Sequence, residues 1–111
     1  MIGNWQITDI DDYGFGNFNN LPFQEDETFS FAEEGRLIHT SAGKTYEGSW
    51  DVRKEHRDEK TIQSLHITAI DFATQDVKTE YFNDVAFTTS NRFKAFINNG
   101  TKVYVYHFVR Q

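Results

Sequence analysis

Gly3-Asn4-Trp5-Gln6-Ile7-Thr8 decides the fold. Its side chains alternate, with Gly3, Trp5 and Ile7 on one face and Asn4, Gln6 and Thr8 on the other, the period-two pattern of a half-buried strand. A tryptophan on the inner face is large enough to plug one end of a small barrel, and the glycine two residues earlier lets another group approach closely. The strand spans Ile2 to Ile10.

Working outward, the same alternation recurs along the chain. Glu27 to Ala32 places Phe29 and Phe31 inward, and Glu33-Glu34-Gly35 turns it as a tight hairpin with Gly35 supplying a positive φ. Arg36 to Ser41 returns, Ala42-Gly43-Lys44 turns again, and Thr45 to Lys54 carries Tyr46, Gly48, Trp50 and Val52 on one face. The mixed-charge run Arg53 to Lys60 reads as a solvated turn before a strand over Thr61 to Asp71. Phe72 to Asp76 turns, and Val77 to Thr88 reads as one strand, or as two if Asn83-Asp84 is a hairpin. Arg92 to Asn98 and Lys102 to Arg110 form the last pair, joined through Asn99-Gly100.

The pattern predicts an all-β fold: an eight-stranded antiparallel up-and-down β-barrel formed by residues 1–111 as one domain. Closure removes the two exposed edges of an open meander and sets the first strand beside the last. Arg110 then lies beside Trp5, a cation over an indole.

Composition narrows the function. The net charge of −6 is concentrated between Asp9 and Glu27, which holds six acids and no Lys or Arg. With no basic stripe elsewhere, nucleic acid is excluded as a partner. There is no cysteine, so no disulfide and no thiolate nucleophile. No apolar run reaches spanning length and no leader is visible, so no membrane span is expected and the chain as written reads as soluble.

Several motifs together resemble the bacterial lipocalin-like domain proteins of the calycin superfamily. These are Gly3-x-Trp5, Thr28-Phe29-Ser30-Phe31-Ala32-Glu33-Glu34-Gly35, the second Gly48-x-Trp50, and the closing Tyr106-His107-Phe108-Val109-Arg110. The chain lacks the disulfides and C-terminal helix of full lipocalins and the lipoprotein leader of the bacterial group. The resemblance implies a barrel with Gly3, Trp5 and Arg110 as its closing structural residues, and a small hydrophobic ligand. It leaves the compartment as cytoplasmic for the chain as written, or secreted if the domain was trimmed from a lipoprotein.

The inward parity makes Tyr46, Trp50, Phe29, Phe31, Tyr104 and Tyr106 the candidate ligand-binding residues. Phe15 and Phe18 join them from Asp11 to Glu25, a Gly- and Asn-punctuated loop that could cover the barrel mouth or pack on itself. Asp9 to Asn20 departs from a calcium loop at its fifth and twelfth positions, and the four histidines have no zinc spacing. A lone inward His39 could ligate haem, though a satisfied histidine is the simpler assignment. No nucleophile elbow is present. The expectation is a non-enzymatic carrier of a small hydrophobic molecule, without cofactor or metal. The alternatives are a filled barrel acting as a structural or protein-interaction module, with Val103, Val105 and Val109 on its outer face, and an enzyme recognisable by an inward carboxylate or histidine of shifted pKa.

Overall fold

The computed structural model describes residues 1–14, 23–98 and 102–111. The strands are β1 (Gly3–Gly14), β2 (Thr28–Phe31), β3 (Arg36–Ser41), β4 (Lys44–Arg57), β5 (Lys60–Asp71), β6 (Asp76–Phe82), β7 (Asp84–Thr89), β8 (Arg92–Asn98) and β9 (Lys102–Arg110). They form one nine-stranded antiparallel sheet in the order β6-β5-β4-β3-β2-β1-β9-β8-β7. The fold is all-β, as expected. Two details differ: the described residues form nine strands rather than eight, and their sheet is not closed into a barrel.

Both differences are located at Asn83, between β6 and β7. It does not reverse the chain; β6 and β7 run in the same direction, one after the other, with β6 paired to β5 and β7 paired to β8. The segment changes partner where it crosses the seam, so no ladder joins the sheet's two edges. Asn83 bridges part of the gap, its N–H donating to Phe96 O (2.8 Å) and its Oδ1 accepting from the Asn98 N–H (2.7 Å). Curling nevertheless brings the β6 edge across the interior to β9: Phe82 of β6 packs edge-on against Tyr106 (5.3 Å) and Phe108 (6.3 Å).

The ends of the chain meet as the first strand predicts. Trp5 is the ladder partner of Arg110, whose guanidinium lies 4.3 Å from the indole centre and donates to Ile2 O (2.9 Å) and Ser90 O (3.2 Å). Gly3 makes room for it. At φ +135°, a Cβ there would stand 2.3 Å from Arg110 Nη1.

Three local expectations are corrected. β1 continues to Gly14 because β9 pairs with it as far as Lys102, so Asp11 to Tyr13 are strand and not loop. β4 and β5 run through the charged stretch to a two-residue turn, Asp58-Glu59, with φ of 49° and 64°; its side chains carry no Gly or Asn signal of such a turn. The Glu33–Gly35 hairpin is a single 3-10 turn in which Glu34 (φ 62°) as well as Gly35 is left-handed.

A bulge at Thr8 has wider consequences. Ile7 pairs with Phe108, but Asp9 already pairs with His107, so Thr8 is an extra residue and the inward parity of β1 shifts from odd to even. Trp5 and Ile7 face the core below the bulge; above it Ile10, partner of Tyr106, packs against the core, and the exposed Asp12, partner of Tyr104, shares its parity at the rim. Val105 is buried and Val103 and Val109 half-buried, so these three do not form the exposed outer patch expected of them.

Candidate functional site

The inner face divides along the strand axis. Toward the end holding Trp5 and Arg110, called here the lower end, ring packs on ring: Trp5 on Phe93 (4.7 Å), Phe93 on Phe108 (4.5 Å), Phe31 on Trp50 (5.3 Å). Toward the upper end, where β2 begins and the β3–β4 and β5–β6 turns lie, ionisable side chains take the inward positions.

Glu27 stands at the centre of that upper group. It immediately precedes β2 with the parity of Phe29 and Phe31, so it points inward and is buried. Its Oε1 lies 2.8 Å from His39 Nε2 and 3.2 Å from Lys78 Nζ, and its Oε2 accepts the Gln24 N–H. Burial pushes the carboxyl up, but the His39 and Gln24 hydrogen bonds and the Lys78 charge outweigh it and hold the group below the usual carboxylate range.

His39 on β3 is fully buried, stacked on Phe29 at 4.4 Å and tilted to Tyr46 at 5.3 Å. Its Nδ1 lies 3.0 Å from Thr28 O, so both ring nitrogens face acceptors.

Lys78 on β6 closes the group. Its ammonium sits over the Tyr46 ring (4.8 Å) and the Phe23 ring (5.8 Å). The Tyr46 hydroxyl donates to Asp76 Oδ2 (2.7 Å), and that bond, with burial, pushes the phenol up to about 12. Two positions along β6 from Lys78, Glu80 faces inward too, and burial outweighs its hydrogen bond from the Tyr81 N–H to push its carboxyl up. Lys102, buried, pairs with Asp12 at 3.1 Å and lies over the Tyr104 ring at 5.6 Å.

The sequence-predicted residues separate between the two ends. Tyr46, Tyr104 and Tyr106 are buried at the upper end, with Phe29 below them as the floor under His39. Phe31 and Trp50 belong to the lower half, where the Trp50 indole donates to Ala32 O (2.9 Å). Phe15 and Phe18 lie outside the described residues. Glu27, Lys78, Glu80 and Asp76 were not anticipated. A signal existed: Glu27 shares parity with Phe29, and Lys78 and Glu80 share it with Phe82, but charged side chains argue against an inward assignment.

Among the described residues no three His, Asp or Glu side chains are placed to hold a metal ion, and no helix is long and apolar enough to cross a membrane. Comparison with protein-family models, with curated proteins and with solved structures finds no match to this chain.

Proposed function

We propose that this chain binds a small amphipathic molecule at the upper end of its curled sheet, with aromatic side chains around the body of the ligand and the charged cluster around its polar group. The observation carrying this reading is that the buried Glu27 and His39 and the half-buried Lys78 stand together on the inner face. Stability does not explain it. Desolvating each ion costs several kcal/mol, and apolar residues of similar volume commonly serve a core as well or better. Polar groups converging within an apolar enclosure are, by contrast, the usual make-up of a small-molecule site.

Glu27 and Glu80 are inward carboxylates of shifted pKa, the feature expected of an enzyme. The reading is nevertheless of binding, because the groups around Glu27 face one another: His39 lies between Thr28 O and Glu27 Oε1, and the Tyr46 hydroxyl is committed to Asp76. The resemblance to lipocalin-like proteins points the same way. The ring packing of the lower half favours the second reading, a structural or interaction module, in which the upper cluster only fixes the packing of β2, β3 and β6.

Thermal melting against fatty acids, retinoids, haem and aromatic acids and amides separates the two, because a ligand of the folded state raises the melting temperature. The binding reading expects a saturable rise that Tyr104→Ala weakens and Trp50→Ala, in the lower half, does not. No rise with any probe would favour the module.

A further inference from the structure

The upper end already holds an occupant. Phe23 is fully buried, its ring edge-on to Phe29 (5.0 Å, 83°) and to His39 (4.9 Å, 80°), with the Lys78 ammonium 5.8 Å from its centroid. Its carbonyl accepts the buried Tyr106 hydroxyl at 3.2 Å. The other rings packed around this cluster, Phe29, Tyr46, Phe82, Tyr104 and Tyr106, belong to strands and are fixed by ladders. Phe23 does not. It enters from a non-ladder segment that turns at Asp26 (φ 68°) and is tied down by the Asp26 N–H to Ile7 O (2.9 Å) and the Gln24 N–H to Glu27. Phe23 can therefore leave without breaking the sheet.

Its departure would leave two demands unmet. The Tyr106 hydroxyl would lose its acceptor in a buried setting, and a buried donor without a partner costs about 1–3 kcal/mol. The faces of His39 and Phe29 would lose an edge-on ring. A replacement meets both demands when it brings an aromatic ring and, at the spacing of a phenylalanine ring from its own carbonyl, an acceptor oxygen.

Resting on the binding reading above, we propose that the ligand is an aromatic molecule bearing a carbonyl group separated from its ring by two carbons, and that it binds by displacing Phe23. Phe23 thus mimics the ligand and competes with it. The apparent affinity is the intrinsic one reduced by the fraction of molecules in which Phe23 is out.

The probe is 3-phenylpropanamide, which reproduces the ring, two-carbon stem and carbonyl of Phe23; 3-cyclohexylpropanamide keeps the shape without the aromatic face. Each is titrated calorimetrically into the full chain, into Phe23→Ala and into Phe23→Leu, which keeps apolar volume should the alanine variant fail to fold. The proposal expects wild type to bind the phenyl amide and the Phe23 variants to bind it about tenfold or more tightly. It expects the cyclohexyl amide to bind more weakly throughout, and Tyr106→Phe, added to either variant, to remove most of the gain. Equal affinity for the two amides, or no tightening in the Phe23 variants, would overturn it. If wild type takes up a different amphipathic probe at the upper end while the phenyl amide binds none of the proteins, the mimicry is wrong and the binding reading survives. If no probe binds, both fall.

Discussion

The lower and upper halves of the interior are built on the same strands and solve different problems. Below, Trp5, Phe31, Phe93 and Phe108 interlock as rings, and the gain is apolar area removed from water. Above, Glu27, His39 and Lys78 spend desolvation energy on one another, which yields little net stability and a site with fixed charges. A core built only to hold the fold would continue the first solution to the top. The contrast is the reason we propose the upper half, whose residues are poorly chosen for stability, as the binding end.

The largest effect that sharpens this contrast is expected from Phe93→Ala. Its ring touches Trp5, Phe87 and Phe108, so truncation should cost about 3–5 kcal/mol in urea unfolding and leave upper-end binding intact. Glu27→Gln comes next, at about 3 kcal/mol, because Lys78 is left without its counter-charge and His39 without its carboxylate neighbour. The halves part company under full apolar replacement. Glu27→Leu/His39→Phe/Lys78→Met should regain most of what Glu27→Gln loses while abolishing binding, and failure to regain it would make the cluster structural after all.

A smaller, pH-dependent effect follows from the carboxyls. Glu27 is held below its ordinary 4.5, so its contribution to stability is fully present above that value and lost as pH falls through the folded-state value. Glu80 is raised, so its contribution is present below 4.5 and lost as pH rises through its own folded value. Stability measured by urea titration from pH 7 to 3 should therefore fall less steeply in Glu27→Gln than in wild type, and Glu80→Gln should be more stable than wild type at pH 7. The smallest effect concerns the lower rim. Arg110→Lys keeps the charge but loses the planar fork shared between Ile2 O and Ser90 O, and should lower stability by about 0.5–1 kcal/mol, read as a melting shift of a few degrees.

Much of the lower half was legible in residue order alone. Gly3, Trp5 and Arg110 meet because strand alternation sets their face and an antiparallel meander returns the last strand to the first. Of the rings expected inward, Phe31 is buried in this half, and Phe29, Tyr46, Tyr104 and Tyr106 are buried toward the other. The charged cluster of the upper half was not legible, for two reasons. A bulge such as Thr8 depends on how two strands are staggered, which no local pattern records, and it reverses every later assignment on β1. At Lys78 and Glu80 alternation points inward while charge points outward, and a rule that ranks residues by hydropathy follows the charge. Asn83 shows a third limit: a strand that changes partner midway looks in sequence like one that does not.

The most direct test is an amide chemical-shift map of the isotopically labelled protein, titrated with whichever probe raises its melting temperature. The account predicts saturable shifts concentrated at Glu27, His39, Tyr46, Lys78, Tyr104 and Tyr106, with Trp5, Phe31 and Phe93 unmoved. Shifts confined to the lower half or the outer face would contradict it.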